Sequence, residues 1–153
     1  MDDFTLSRRT MFVAGGLGAV AVAGLVGAGT AQAAEMGDKA KANVKVVEDF
    51  IKAWNDPDKA VTYLADDASV RMEEDKPAVI GPTAVGAVFK SFMTPGVTIS
   101  VKIHSTMAEG PVVTNIRTDT LKTKGKPDQA FKVVGVFVVK GGKIKEWTDY
   151  LDA

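Results

Sequence analysis

The chain has 153 residues, with 19 basic and 19 acidic side chains, one histidine and no cysteine. The balanced charge gives no electrostatic footprint for nucleic acid, which we therefore exclude as a partner. Without cysteine there are no disulfides, thiolate nucleophiles or sulfur ligands, and one histidine leaves little for a metal site or a serine–histidine relay. We expect a small, uncharged ligand and no metal or cofactor.

The first 33 residues are predicted to be an export signal. Arg8 and Arg9 precede a hydrophobic residue at the spacing that the twin-arginine translocase reads. Residues 13–29 consist of Gly, Ala, Val and Leu, and residues 31–33 have the small-x-small pattern that signal peptidase accepts. We expect translocation, cleavage after this pattern, a periplasmic or secreted location, and a single domain over residues 34–153. The alternative is an uncleaved anchor, because the apolar run approaches the roughly 18 residues that span a bilayer.

Three helices are predicted in the first half of this domain. Between residues 40 and 54 apolar side chains recur at three- and four-residue spacing, which is typical of an amphipathic helix. Asp56 followed by Pro57 marks the start of a short second helix. A brief extended piece follows near residues 69–72, and Gly81-Pro82 opens a third helix.

The second half of the domain changes to the period of two that is typical of β-strands. Strands are predicted over residues 97–104, 111–122, 131–140 and 143–151, with Gly141-Gly142 as a two-residue hairpin turn. Helices followed by antiparallel strands predict an α+β fold. Because the strand over 131–140 is apolar on both faces, we expect helices to cover one side of the sheet and a second subunit to cover the other.

A candidate site lies where polar side chains meet on this sheet. Arg117 and Asp119 are two residues apart on one strand, so their side chains share a face. Counting back from the glycine turn pairs Asp149 with Val134, and a regular preceding hairpin places Arg117 opposite Val134 as well. By reaching over this valine, the Arg117 guanidinium is expected to hold Asp119 and Asp149 together across roughly 10 Å between strands. The alternative is an ordinary ion pair with one aspartate on an exposed face.

Three stretches of the chain resemble the limonene-1,2-epoxide hydrolase family. They are residues 113–121, which contain an Arg-x-Asp strand, residues 134–143, and residues 146–152, which contain Trp-x-Asp-Tyr. The resemblance extends over most of residues 40–152. It implies the cone of the nuclear transport factor 2-like superfamily, in which three helices pack on a strongly curved, mainly antiparallel sheet around an apolar pocket.

The resemblance also implies roles for the polar residues. Asp149 is the base that activates water, Asp119 is the acid that protonates the epoxide oxygen, and Arg117 is the bridge between them. The implied reaction is a one-step, metal-free hydrolysis of a small hydrophobic epoxide. The residue types suit it, because two carboxylates in an apolar pocket do not both ionise cheaply and tend to share protons unevenly.

The sequence departs from the family on the first short strand. The family has a tyrosine and an asparagine there that help to hold the attacking water, whereas this chain has Val70 and Met72. Asn115, on the same strand face as the bridging arginine, is the candidate replacement. Together with Val134 and Trp147, these positions are expected to line the substrate pocket. The large aromatic residues of the helices are interpreted as core: Phe50, Trp54 and Phe92.

Two other kinds of function stay open alongside an exported epoxide hydrolase. One is a cone-fold isomerase or polyketide-cyclase-like enzyme, which uses one aspartate to move a proton next to a carbonyl group. The other is a non-catalytic module that binds a small molecule. The acid, base and bridge favour hydrolysis, whereas Val70 and Met72 favour the alternatives.

The outer face of the sheet is the expected dimer interface. The predicted pairing points Val134 into the pocket, so Val133, Phe137 and Val139 are expected to point away from it. Apolar side chains on an exposed sheet face need a cover, and we therefore expect a homodimer.

Overall fold

The computed structural model describes residues 37–151, which belong to one compact unit. The predicted export signal and its cleavage site lie outside the described residues. None of the helices between residues 37 and 151 has the length and apolar character to cross a membrane. The elements are α1 (Asp38–Lys52), α2 (Pro57–Ala60), a 3-10 turn (Val61–Tyr63), β1 (Leu64–Arg71), β2 (Val79–Ile80), α3 (Pro82–Phe92), β3 (Val97–Glu109), β4 (Val112–Thr123), β5 (Gln129–Lys140) and β6 (Lys143–Leu151).

The six strands form one sheet in the order β2-β1-β6-β5-β4-β3. Neighbouring strands are antiparallel except β1 and β6, which run parallel. The pairing is irregular in β1, β3 and β6, and such irregularities bend a sheet. Helix α1 packs across β3 to β6, and α3 packs against β1. The predicted α+β class, with three helices on a curved, mainly antiparallel sheet, is confirmed, although the sequence predicts neither β2 nor the parallel pairing of β1.

The helices form close to the predicted positions, for the predicted reasons. Helix α1 lies two residues before the predicted range, and its apolar stripe, which includes Phe50, is buried. Helix α2 begins at Pro57, and the preceding Asp56 side chain accepts a hydrogen bond from the backbone N–H of Lys59 at 3.2 Å. Helix α3 begins after Gly81, whose φ of 83° is a conformation that glycine adopts without steric cost.

The core is built from aromatic side chains of both layers. The ring of Phe50 in α1 lies 5.3 Å from that of Trp147 in β6 and 6.3 Å from that of Phe89 in α3, between centroids. Trp54, just after α1, stacks on Trp147 at 5.3 Å. The prediction that Phe50 and Trp54 belong to the core is confirmed. Phe92 was wrongly assigned, because α3 ends there and leaves its side chain 38% exposed.

The pairing of β5 with β6 differs from the predicted register by one residue. The glycine turn joins the two strands as predicted, but β6 carries one extra residue between Ile144 and Glu146. Beyond this bulge Gly135, instead of Val134, lies opposite Asp149. Because side chains alternate along a strand, the extra residue places Trp147 and Asp149 on the β5 face that carries Gly135 and Phe137, which is opposite to the predicted one.

The shift reverses the two faces of β5. The sequence predicts Val133, Phe137 and Val139 on the outside, but all three are buried, with exposures of 3%, 0% and 1%. It predicts Val134 in the pocket, but Val134 lies on the opposite side of the sheet and is 38% exposed. We call the helix-covered side, which carries Val133 and Phe137, the inner face, and the side that carries Val134 the outer face.

Candidate active site

Four polar side chains are buried on the inner face of the sheet. Asn115, Arg117 and Asp119 alternate along β4, so the sequence of this strand places them on one face. Asp149 lies on β6, and β5 separates it from the other three. Strands two positions apart are separated by roughly 10 Å, so only a long side chain can join the two aspartates.

The Arg117 guanidinium joins all of these groups. Its Nε donates to both carboxylate oxygens of Asp119 at 3.0 Å, and its Nη2 donates to Oδ2 of Asp149. Its Nη1 donates to Oδ1 of Asn115 at 2.9 Å. A planar guanidinium has five N–H groups in a fixed fork, which suits several acceptors at once. The cluster also differs from an exposed surface pair, because Arg117 is fully buried.

The path of Arg117 across β5 differs from the predicted one. The sequence predicts that the arginine reaches over Val134, whereas Arg117 pairs with Val133 and its side chain passes over Gly135. From the helix layer, the ring of Trp54 covers the guanidinium, with Cζ 5.1 Å from the ring centroid. The guanidinium therefore lies against both a strand backbone and an indole ring.

Trp147 holds the second oxygen of Asp149. Its Nε1 donates to Oδ1 of Asp149 at 2.6 Å. The indole is fixed by packing, since it stacks on Phe137 at 5.9 Å and on Trp54 at 5.3 Å between centroids. Each oxygen of Asp149 thus accepts one hydrogen bond from the protein and retains a lone pair for another donor.

A cavity of about 120 Å³ opens over the two aspartates. Its lining side chains come from the ends of α1, α3 and β1 and from the inner face of the sheet: Trp54, Met72, Phe89, Phe92, Met93, Ile99, Asp119, Trp147 and Asp149. Among these lining residues the two aspartates alone carry charge. An uncharged, apolar ligand in the cavity therefore meets two carboxylates on an otherwise apolar wall.

The structure brings only some of the predicted pocket residues to this cavity. Met72 and Trp147 line it. Val70 is fully buried beside Trp147, its neighbour on β6, and lies behind the lining. Asn115 contacts the arginine but does not line the cavity. The prediction that Val134 lines it is wrong, because the extra residue in β6 turns this side chain to the outer face.

Sequence reasoning missed several contributors to the site. Trp54 and Phe92, interpreted as core only, line the cavity, as do Met93 and Ile99, and Gly135 makes room for Arg117. For Gly135 the sequence held a signal, because a glycine inside an apolar strand often marks the close approach of another group. Helical periodicity shows that Trp54 faces inward, but it gives no indication that a cavity lies there.

Burial raises the pKa of both aspartates, and Arg117 opposes this effect. For Asp149, burial raises the pKa from 3.8 to about 6, while the charge of Arg117 and the hydrogen bonds from Trp147 and Arg117 lower it. For Asp119, burial also raises the pKa, again against Arg117. One guanidinium balances one carboxylate, so the second negative charge is uncompensated in an apolar cavity. The pair can therefore accept and release protons not far from neutral pH.

Two buried nitrogen atoms at the site have no hydrogen-bond partner among residues 37–151. They are Nε1 of Trp54 and Nδ2 of Asn115. Within the same part of the chain, no three His, Cys, Asp or Glu side chains are grouped so as to hold a metal ion. The chemistry that the side chains of this site themselves offer is proton transfer.

Comparisons with known proteins agree with this fold. The model of the limonene-1,2-epoxide hydrolase catalytic domain matches residues 41–153, well over half of the chain. An LEH-like epoxide hydrolase from M. tuberculosis has a similar structure, with a TM-score of 0.66 and 31% sequence identity over 74% of this chain and 84% of that one. A putative polyketide cyclase from Xanthomonas campestris pv. campestris shares the fold, with a TM-score of 0.63 and 20% identity over 74% of this chain and 93% of that one. A search of curated proteins gave no match. Since the family model covers the whole described domain except its first four residues, the chain belongs to the limonene-1,2-epoxide hydrolase family.

Proposed function

We propose that this protein adds water to a small hydrophobic epoxide in one acid–base step. The observation that carries the proposal is the Arg117 guanidinium, which binds two buried carboxylates, Asp119 and Asp149, on the wall of an apolar cavity. The family of the chain and its 31% identity to an epoxide hydrolase support the same class of reaction.

In this step Asp149 is the base and Asp119 is the acid. Asp149 takes a proton from water while the water oxygen bonds to one epoxide carbon. The bond from that carbon to the epoxide oxygen breaks, and Asp119 transfers its proton to this oxygen. The product is a vicinal diol that contains all atoms of the epoxide and the water. One proton has moved from Asp119 to Asp149, so the total charge beside Arg117 is unchanged, and exchange with solvent restores the starting state.

The surroundings of Asp149 suit the role of the base. Arg117 and Trp147 oppose the effect of burial on Asp149, whose pKa of about 6 leaves it mostly ionised, and therefore basic, at neutral pH. The apolar wall limits the access of bulk water to the reacting groups. A cavity of about 120 Å³ with two carboxylates favours a compact, uncharged substrate over an anion.

The substitution Asp149→Asn tests the proposal. The amide keeps an acceptor oxygen for only one of the two hydrogen bonds, from Trp147 or from Arg117, and it cannot take a proton from water. We expect diol formation from limonene-1,2-epoxide, or from a smaller cyclic epoxide, to fall on the order of 10²- to 10⁴-fold. Diol is measured by chiral gas chromatography with the full chain.

The matched control is Asp67→Asn on the neighbouring strand β1. Asp67 is exposed and forms an ion pair with Lys145, away from the cavity. The substitution Asp67→Asn should leave the rate of diol formation unchanged. Hydrolysis at the native rate by Asp149→Asn would rule out Asp149 as the base and with it the proposed reaction.

A second candidate is proton transfer next to a carbonyl group, as in an isomerase or cyclase. It is favoured by Met72, which lines the cavity where the family has a water-holding residue, and by Val70, which is buried behind the lining. Asp149 then removes a proton from carbon instead of water. In D₂O a small cyclic ketone would exchange its α-hydrogens in an Asp149-dependent manner, detectable by NMR, without any epoxide turnover. Ligand binding without either activity would instead indicate a non-catalytic binding module.

We also propose export by the twin-arginine pathway, with residues 1–33 as the signal and residues 34–153 as a periplasmic or secreted domain. The support is the Arg8-Arg9 pair, the apolar run that follows it and the small-x-small pattern. Replacing both arginines with lysine should stop export, as measured by cell fractionation. The exported protein should have the mass of a chain that begins at Ala34, whereas a mass that includes residues 1–33 would indicate an anchor.

A further inference from the structure

Gly135 lies in the middle of β5, within a run of apolar residues from Val133 to Val139. Glycine weakens a strand interior, because it has no side chain to pack and loses more conformational freedom on folding. Its backbone here is extended, and its φ is not among the positive values that call for glycine. The reason for a glycine at this position must therefore be sought in its surroundings.

The space beside Gly135 is filled by the active-site cluster. A Cβ atom added to Gly135 would lie 2.1 Å from Nη1 of Arg117, 2.8 Å from Oδ1 of Asn115 and 2.8 Å from Cε2 of Phe137. A carbon atom does not approach non-bonded atoms so closely, so an alanine at position 135 requires the surrounding side chains to move. The atom with the shortest distance belongs to the guanidinium.

Arg117 has little freedom to move away. Its Nε is held by Asp119, its Nη2 is held by Asp149 on the far side of β5, and its Nη1 is held by Asn115. The ring of Trp54 covers it from the helix layer. A shift that relieves a contact with residue 135 therefore loosens these hydrogen bonds.

We propose that Gly135 is a positioning residue: the absence of a side chain at this point of β5 lets the Arg117 guanidinium lie against the strand and reach the carboxylates on both sides. The consequence for turnover rests on the proposed hydrolysis, whereas the positioning itself does not. Gly135 touches no substrate. It acts through Arg117, whose place between the two strands sets how strongly each carboxylate holds its proton.

The substitution Gly135→Ala in the full chain tests this inference without any substrate. Arg117 lowers the pKa of Asp149, so displacement of the guanidinium should raise it. The pKa is measured by NMR on protein whose aspartates carry ¹³C at the side-chain carboxyl group. The Asp149 signal is identified as the one that is absent from the spectrum of Asp149→Asn. We expect its titration midpoint to rise by about one pH unit or more in Gly135→Ala. If the protein hydrolyses epoxides, the acidic limb of the rate profile should move in the same direction.

Gly86→Ala is the matched control, since it also adds a Cβ at a buried glycine. That Cβ would meet only Cγ1 of Val61 in the 3-10 turn, at 3.2 Å, and no atom of the active-site cluster. The Asp149 midpoint should not change. A folded Gly135→Ala with the native midpoint would overturn the inference, and it would do so whether or not the protein turns over epoxides.

A double substitution separates a clash with Arg117 from general damage to β5. Lysine keeps the charge but has no Nη1 atom, so Gly135→Ala should shift the Asp149 midpoint, and lower the Tm, much less in an Arg117→Lys background. If Gly135→Ala alone does not fold, recovery of folding in the double variant supports the inference. Failure of both to fold would assign the damage to Phe137 and the strand itself, and would overturn it.

Discussion

The inner and outer faces of the sheet place side chains in environments opposite to their chemical character. On the inner face Arg117 and Asp149 are 0% and 5% exposed, whereas on the outer face Ile116 and Val134 are 44% and 38% exposed. The reversal occurs within single strands, since Ile116 and Arg117 are neighbours on β4. Buried charge and exposed large apolar side chains both cost stability. The inner face therefore indicates chemistry, and the outer face indicates association.

Stability alone does not explain the charges of the inner face. Removal of each ion from water costs several kcal/mol, and replacement of a buried ion cluster by well-packed apolar side chains is often neutral or stabilising. Strand β4 itself shows that the fold accepts an apolar residue on this face, because Val113 is fully buried there. The carboxylates are better explained by what they do to a ligand in the cavity.

A gain of activity is expected when the polar groups that the inner face lacks are added to it, and among the predictions that concern the two faces this one has the largest effect. In the proposed hydrolysis the two aspartates of the cavity supply an acid and a base, but Val70 and Met72 leave the attacking water without two of the partners expected from the family. Val70→Tyr with Met72→Asn should raise epoxide hydrolysis on the order of 10²-fold, because one positioned hydrogen bond in an active site is worth about that much. Diol formation under kcat/KM conditions measures it.

This gain has a structural cost and a clear control. Val70 is fully buried, so a tyrosine there should lower the free energy of unfolding by about 1–3 kcal/mol. The same pair of substitutions in an Asp149→Asn background should gain no activity. A folded double variant that binds the epoxide and is no faster than the native protein would favour the isomerase, cyclase or binding alternatives.

The comparison of the two faces also shows what the sequence could predict. Arg117 and Asp119 share a face because they are two residues apart, and no irregularity lies between them. Strands and helices followed from periodicity and from turn residues such as Gly141-Gly142. The encounter of Arg117 with Asp149 was predicted because two one-residue errors cancel. The predicted registers pair both residues with Val134, whereas Arg117 pairs with Val133 and Asp149 with Gly135, and these two residues share a face of β5.

The sequence could not predict which side chains of β5 point toward the core, for a physical reason. Residues 133–139 are apolar at almost every position, so no alternation of polar and apolar residues fixes which side faces the core. The register then depends on counting from the turn, and the extra residue between Ile144 and Glu146 carries no glycine or proline to mark it. The parallel pairing of β1 with β6 joins segments that are far apart in sequence, so local sequence patterns do not predict it.

The second prediction concerns the outer face. We propose that it is a homodimer interface, formed by residues other than those that the sequence predicts, with Met107, Ile116, Val134 and Tyr150 exposed on it. Val134→Lys should weaken the dimer by a factor of roughly 50, because a two-fold axis brings like charges together across the interface. Sedimentation equilibrium gives the Kd. Ile80→Lys is the matched control, because Ile80 is exposed on β2 at the far edge of the sheet. A native protein that is monomeric at micromolar concentration would contradict the proposal.

The prediction with the smallest effect contrasts a buried carboxylate of the inner face, Asp149, with a surface carboxylate, Asp67. Burial raises the pKa of Asp149 to about 6, so about a tenth of the protein carries the ionised base one pH unit below this value. We expect kcat/KM for an epoxide to fall about tenfold for each pH unit below about 6. The hydrogen bond from Lys145 lowers the pKa of the exposed Asp67, so Asp67 stays ionised over this range and takes no part in the fall.

Stability should depend on pH with opposite signs for these two aspartates. The folded pKa of Asp149 lies above its usual 3.8, so its contribution to stability is fully present below 3.8 and is lost as pH rises through about 6. The folded pKa of Asp67 is lowered, so its contribution is present above 3.8 and is lost as pH falls. Asp149→Asn should therefore flatten the decrease of Tm between 3.8 and about 6, whereas Asp67→Asn should preserve it. If Asp149→Asn kept the full decrease and the rate profile had its midpoint near the usual 3.8, burial would not control protonation on the inner face, and the contrast between the two faces would not extend to their chemistry.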